Sequence, residues 1–339
     1  MESLFKLFRL LDLTNFDARV YVTLLTIGPS SPTRLAEELG THRPQIHGSL
    51  KRLASKGFVE VYSGRPATYR AVPPEIALPL ISDEFTQSLE EVQHFLNSLS
   101  SIEAQEQHGV WLYKSSKGLL QKFLRSVEES EIDLVVCGDA VFISRLRDKL
   151  LKAQKRGVIV YVLIYEIPGA KVEDVKIEGL LKVKKAVSGD LLVIRDLSLG
   201  ILAQRRLGAH TFPEYGVLVE EPVLIDYLLQ DFFYRWIRSK TIVDEPITPP
   251  ARFTMFKLAL LEVKRILDAG TKLWGKFKGR WIDDGKGVLE GRIVNAIYEP
   301  ETGIAQIIVE SSTGEKYTVG GPDAVIEDFA ADEVSIKEV

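Results

Sequence analysis

Between residues 35 and 70 the chain reads LAEELGTHRPQIHGSLKRLASKGFVEVYSGRPATYR, and few other stretches restrict its folding so tightly. A short helix opens the stretch: Pro32 suits its first turn, Leu35, Ala36 and Leu39 face inward, and Gly40 ends it. The next helix is predicted to start at Thr41, read as its N-cap, and to run to Lys56-Gly57. Ile46, Leu50 and Leu53, spaced four and three apart, form its buried stripe. Upstream, Phe16, Val20, Leu24 and Ile27 recur at helical spacing until Gly28-Pro29. Downstream, residues 58–62 and 67–70 are short strands around Ser63-Gly64-Arg65-Pro66. Three helices and a hairpin in this order predict a winged helix-turn-helix.

The free side of the third helix would carry Pro44, His47, Gly48 and Lys51, with Arg43, Gln45 and Arg52 at its flanks. Small residues, donors and acceptors are what a helix lying in a DNA major groove needs. Arg43, Gln45 and His47 are expected to read bases. Lys51, Arg52 and the wing residue Arg65 are expected to hold phosphates. From Arg34 to Arg70, seven basic residues stand against three acidic ones, although the whole chain has a net charge of −4. A DNA-binding surface need be basic only locally. The competing reading is a protein-binding module with a solvated basic face; the ordered helices and basic wing favour DNA. His42 and His47 have no cysteine or third ligand nearby, so a metal site is not expected.

After Pro73-Pro74, Leu78, Ile81, Phe85, Leu89, Val92, Leu96 and Leu99 recur at steps of three and four. The average lies near the coiled-coil repeat and predicts a dimerisation helix, with an ordinary amphipathic helix as the alternative. A homodimer would match a two-fold operator.

From Gly109 strands and helices alternate: strands at 110–113, 134–137 and 158–164, helices at 117–127 and 143–155. That succession implies a parallel or mixed sheet with helices packed on it. Further strands are expected at 191–195, 199–203 and 217–219, and a helix at 222–238. DEPITPP, residues 244–250, reads as a linker. A helix at 256–267 then leads into an all-strand tail with turns at Asp283-Asp284-Gly285, 300–303 and 312–314, read as a small β-barrel or sandwich. Within the tail, Gly320-Gly321-Pro322-Asp323 precedes Glu327-Asp328. Glycines let a ligand approach the backbone and carboxylates accept hydroxyl protons; an ordinary Gly-Gly-Pro turn is the other reading.

At 339 residues, two or three domains are expected. The domain division read from the sequence is 1–74, winged helix; 75–107, coiled coil; 108–245, α/β sensor; 246–339, β-rich. A single cysteine, Cys137, forbids an intrachain disulfide and suits a reducing compartment, so a cytoplasmic location is expected. No apolar run reaches the ~20 residues of a membrane span, and the start lacks a signal-peptide cleavage site. No phosphodiesterase His-x-Lys pair, Ser-His-Asp order, glycine-rich phosphate loop or paired Cys ligands occur. Neither an enzyme nor a cofactor is expected. A protein that merely coats DNA would have no use for the long tail.

Taken together, the chain resembles the TrmB family of archaeal sugar-sensing transcriptional regulators. The likeness is carried by residues 35–74, by LVVCGDAVFISRLRDKLLKAQKRGVIVYVLIY at 134–165 and by VGGPDAVIE at 319–327. It implies an α+β multidomain fold: winged helix-turn-helix, coiled-coil helix, a non-catalytic phospholipase D-like α/β domain and the small β-barrel or sandwich. It also implies a regulator, read as a repressor, that binds double-stranded operator DNA and answers to maltose or maltodextrin, with glucose and sucrose as alternatives. By that resemblance Gly320, Gly321 and Glu327 would hold sugar hydroxyls. Gln306 stands where the family has an asparagine contact, and Gln230 near a serine contact.

Overall fold

The computed structural model describes residues 1–64, 66–99, 109–166, 173, 176–187, 189–204, 212–283 and 285–339. They fall into two compact units, Met1–Gln105 and Glu106–Val339. The first unit comprises α1 (Glu2–Leu10), α2 (Asn15–Ile27), α3 (Pro32–Glu38), α4 (Arg43–Ser55), the hairpin β1 (Val59–Tyr62) and β2 (Thr68–Ala71), and α5 (Pro74–Leu99). The opening residues form helix α1. Its Phe8 is fully buried against Tyr21 and Phe58, with edge-on ring contacts at 5.9 and 4.6 Å. Tyr21 then donates its hydroxyl to the Val72 carbonyl at 2.8 Å, which ties α2 to the end of the hairpin.

Asp17 couples two of these helices. Its carboxylate accepts the Thr14 backbone N–H at 2.8 Å, while the Thr14 hydroxyl accepts the Asp17 N–H, closing a capping box on α2. The same buried carboxylate accepts Arg52 Nε at 3.0 Å and Nη2 at 2.7 Å, which holds α4 against α2. Burial alone would raise this carboxyl. The bonds from Arg52 and Thr14 outweigh burial and hold it below its ordinary 3.8. Arg52→Ala should therefore destabilise the unit by about 2 kcal/mol, less than for a fully buried pair because Arg52 is half exposed. A depressed carboxyl stabilises above its unfolded value and loses that contribution as pH falls through its folded value. In urea titrations, the gap between wild type and Arg52→Ala should thus be full near neutrality and shrink below about pH 4.

The second unit begins with β3 (Val110–Tyr113), α6 (Ser116–Glu128), β4 (Asp133–Asp139), α7 (Ala140–Lys155), β5 (Ile159–Glu166), β6 (Lys182–Val187) and β7 (Leu191–Arg195). It continues through β8 (Leu199–Ala203), β9 (Gly216–Val219), α8 (Pro222–Arg238) and β10 (Lys240–Asp244). These strands form one mixed sheet in the order β10-β6-β5-β4-β7-β8-β9-β3, parallel only across β6, β5 and β4. Between their ends the central strands are apolar on both sides, as at residues 134–137 and 191–194, because both sheet faces are covered. Leu134 and Val136 meet Phe123, Phe142 and Leu146 of α6 and α7. Val135 and Cys137 join the core of Phe232, Phe233 and Trp236 from α8.

The tail holds β11 (Ala251–Phe253), α9 (Phe256–Asp268), β12 (Leu273–Trp281), β13 (Gly285–Glu299), β14 (Ile304–Glu310), β15 (Lys316–Gly320) and β16 (Phe329–Glu338). Antiparallel pairs run β16-β12-β13-β14-β15, and a short parallel pairing of β15 with β16 joins the ends into a hydrogen-bonded ring. Apolar side chains of α9, among them Leu260 and Val263, belong to one continuous core with the ring strands and the α8 face of the large sheet.

Three strands escaped the sequence reading. β6, KVKKAV, looks too charged for a sheet, and β10 and β11 are short edge strands. Lys182 of β6 is nonetheless buried: its Nζ lies 2.8 Å from Asp244 and 2.6 Å from Glu262 of α9. Asp244, read as the first residue of a linker, is instead the last of β10 and a partner of this lysine and of Arg265. The register of β13 also shifts between Ile293 and Asn295, a bulge that lets one long strand bend around the ring.

Candidate functional site

On α4 the side chains of Ile46, Ser49, Leu50 and Leu53 are buried, which leaves Arg43, Pro44, Gln45, His47 and Lys51 exposed on the other side. Among the described residues, Arg43, His47 and Lys51 have no side-chain hydrogen bond or ion pair. A rigid helix thus holds unspent cations and a ring donor in the open. The helix begins one residue later than Thr41 suggested. His42 is the N-cap, without a side-chain bond, and the Thr41 hydroxyl donates to Gln45 Oε1 at 2.6 Å. That bond fixes Gln45 near the helix start.

Arg52 plays a different part from the phosphate contact its position suggested. Two of its nitrogens are committed to Asp17, 35 positions away, a pairing that no local spacing reveals. In the hairpin, Tyr62 stands exposed and its ring lies over Gly64, where a Cβ would come within 2.8 Å of the ring. Arg70 and Glu60 pair across the strands and cancel each other's charge. Arg65, expected at the wing tip, lies outside the described residues.

In the second unit the GGPD turn ends β15 beside the start of α9. A Cβ on Gly320 would come 2.9 Å from Glu327 Cδ, and one on Gly321 would come 2.9 Å from Asp323 Oδ1. The two glycines therefore let both carboxylates fold back over the turn. A cleft of about 220 Å3 is lined by Phe256, Lys257, Gly321, Asp323 and Glu327, with Val325 and Ile326 as an exposed apolar rim. Carboxylates and a lysine beside apolar surface suit a ring that carries many hydroxyls on its edges and C–H groups on its faces.

From α8, Gln230 donates to Asp226 at 3.5 Å. The Asp226 carboxyl is pushed above its ordinary value by burial first and by the charge of Asp323 second, while Gln230 and Lys257 pull it down. Asp226, Gln230, Lys257 and Asp323 thus share one electrostatic neighbourhood at this turn. Gln230 itself does not line the cleft. Gln306 does not line the cleft: Ala305 does, and strand alternation turns Gln306 to the opposite face of β14. The sequence reading did not place Lys257 at the cleft or Asp226 within reach of its charges, because only the packing of α8 and α9 sets their positions.

Among the described residues no group of three or more His, Cys, Asp or Glu could hold a metal ion, and no helix is long and apolar enough to cross a membrane. Three family models match the chain in succession. "Sugar-specific transcriptional regulator TrmB" covers residues 8–75, the N-terminal EBD subdomain of transcriptional regulator TrmB covers 109–243, and the TrmB/TrmBL1 C-terminal EBD subdomain covers 248–339. The HTH-type sugar sensing transcriptional regulator TrmBL1 of Pyrococcus furiosus is 26% identical, over 97% of this chain and 96% of its own length. A putative HTH-type transcriptional regulator, TrmBL2, of the same organism is 24% identical over 68% of this chain and 95% of its own. Among solved structures, that of TrmBL2, an archaeal chromatin protein, aligns with a TM-score of 0.39 at 22% identity, covering 70% of this chain and all of that one. The phospholipase D family member Nuc of Salmonella typhimurium aligns at 0.33 and 16% identity, over 40% of this chain and 99% of its own. Both structural likenesses are too faint to define the fold.

Proposed function

This chain belongs to the TrmB family of sugar-specific transcriptional regulators, and from that premise we propose that it is a sequence-specific repressor whose operator affinity is set by a maltose- or maltodextrin-like sugar. The observation that carries the DNA half is the free face of α4, where Arg43, His47 and Lys51 stand exposed with no partner among the described residues. Arg43, Gln45 and His47 read base edges, with Pro44 at the groove wall, and Lys51 holds phosphate. Arg65 serves the same phosphate-binding end at the wing. Helix α5 pairs two copies: Phe85, Leu89, Val92, Leu96 and Leu99 are more than half exposed at coiled-coil spacing, and a second α5 covers them; the rest of the expected 75–107 segment lies outside the described residues. The division into winged helix, pairing helix, α/β sensor and β-rich tail belongs to the same proposal, as do a cytoplasmic site of action and a middle domain without catalysis.

The sugar lies at the GGPD turn. Glu327, Asp323 and Asp226 accept its hydroxyls, Gly320 and Gly321 give it access to the backbone, and Gln230 adds an amide. Titration calorimetry of the full chain with maltose, maltotriose, glucose and sucrose tests this. Glu327→Ala should weaken the preferred sugar roughly 10- to 100-fold, the loss of a charge-assisted hydrogen bond. Burial and the charge of Asp323 raise the Asp226 carboxyl, so it loses its charge at a higher pH than an ordinary aspartate does. Sugar affinity should therefore fall as pH drops through the upper carboxylate range, and Asp226→Asn should flatten the profile. No binding of any of the four sugars, or unchanged affinity in Glu327→Ala, contradicts the assignment.

A further inference from the structure

The ring carries a second concentration of ligand-binding chemistry that shares no residue with the GGPD cleft. Strand register places it. Arg252 of β11 lies opposite Ser335 of β16, Ser335 opposite Lys276 of β12, and Lys276 opposite Glu290 of β13. Directly opposed residues project from the same face. Two positions along, Trp274 and Lys337 oppose each other on that face, while their neighbours Leu273, Phe277 and Ile336 fill the core behind. Glu131 and Arg156 from the large sheet's side close the surface into a cleft of about 620 Å3, nearly three times the volume at the turn.

The charges of this cleft are unevenly spent. Arg156 donates to the carbonyls of Glu128 and Ser130 and so caps α6. Lys276 pairs with Glu290 at 2.7 Å. Arg252 shares the single carboxylate of Glu333 with Lys278, so one negative charge answers two positive ones. Lys337 is exposed and has no partner among the described residues. Arg252 and Lys337 are diagonal neighbours across β11 and β16, beside the half-buried ring of Trp274.

We propose that this cleft binds a phosphorylated sugar. Its pyranose ring stacks its C–H face on Trp274. Its phosphate takes the unspent charge of Lys337 and Arg252, and its hydroxyls donate to Glu131 and Glu290. A volume of this size admits a monosaccharide phosphate with its water. The two carboxylates favour a ligand with many hydroxyls and a single phosphate over a polyphosphate, which they would repel.

The site is tested without DNA and separately from the unphosphorylated-sugar cleft. The full chain is titrated calorimetrically with glucose 6-phosphate, glucose, AMP and inorganic phosphate. Saturable binding of glucose 6-phosphate is expected, weakened at least 10-fold by Lys337→Met and by Trp274→Leu and unchanged by Glu327→Ala. Lys337 is on the surface, so an unchanged melting temperature for Lys337→Met separates lost binding from lost folding. Absence of glucose 6-phosphate binding, equal affinity in Lys337→Met, or equal affinity for inorganic phosphate, plain glucose or AMP overturns the proposal. Loss in Glu327→Ala would place the ligand at the turn instead and overturn it as well.

Discussion

Asp133→Ala is expected to lower the unfolding free energy of the second unit by about 4 kcal/mol, the largest single loss in the molecule outside its apolar core. Asp133 is the first residue of β4 and is fully buried. Its carboxylate accepts the backbone N–H groups of Thr254 and Met255 at 2.7 and 2.9 Å, and the Thr254 hydroxyl as well. It therefore anchors the entry to α9 on the central sheet. Truncation strands three donors, each costing about 1–3 kcal/mol when left unsatisfied. Burial pushes the Asp133 carboxyl up to about 6, against the bonds from Thr254 and Met255 that pull it down. A carboxyl raised in the folded state stabilises below its unfolded value, and that contribution is lost as pH rises through the folded value. Wild type should thus gain stability relative to Asp133→Ala as pH falls from about 7.5 towards 5. Guanidinium titrations of both proteins across that range measure the gap. A variant within about 1 kcal/mol of wild type at neutral pH would remove Asp133 from this role.

Arg43→Ala and Lys51→Ala should both weaken DNA binding by about 1–3 kcal/mol per half-site, and in the proposed dimer each loss counts twice. Their signatures differ. Arg43 lies in the first turn of α4, where a recognition helix meets base edges, so its removal should relax sequence preference. Lys51 lies two turns further on, and its removal should weaken all duplexes alike and lower the salt slope by about one per half-site, about two for the dimer. Anisotropy titrations on a duplex selected from a random pool, and on a scrambled one, at three salt concentrations separate the two. Equal loss of preference in both variants would contradict the division of labour. Binding of wild type to both duplexes with equal affinity would favour a protein that coats DNA.

The first unit was legible because its signals are local. The stripe Ile46, Leu50, Leu53 and the glycines Gly28, Gly40 and Gly57 after α2, α3 and α4 announce the elements within a few residues of themselves. What failed there was non-local: Arg52 looks like a solvated cation until α2 brings Asp17 beneath it. The large sheet was legible in its centre, where the middle residues of strands buried on both faces must be apolar. Its margin was not, since β6, next to the edge strand β10, carries a lysine whose burial depends on acids contributed by β10 and α9. The turn at Gly320 drew notice through its glycines and carboxylates. Asp226 and Lys257 gave no such signal, because nothing in a helix's own sequence tells which side chains will face a distant turn. Lys337 and Trp274 are in the same position: alternate residues on two strands become a surface only once the register is known.

The central claim is that one chain couples a sugar at the GGPD turn to DNA at α4, and one titration tests it directly. The duplex selected by the full-length protein is titrated with and without saturating maltose, for wild type and for Glu327→Ala. The account predicts that sugar changes wild-type affinity by roughly 5- to 150-fold, the span of ordinary coupling energies. Glu327→Ala should bind the sugar-free duplex as wild type does but show no response. Identical curves with and without every sugar of the panel, or a full response in Glu327→Ala, would contradict it.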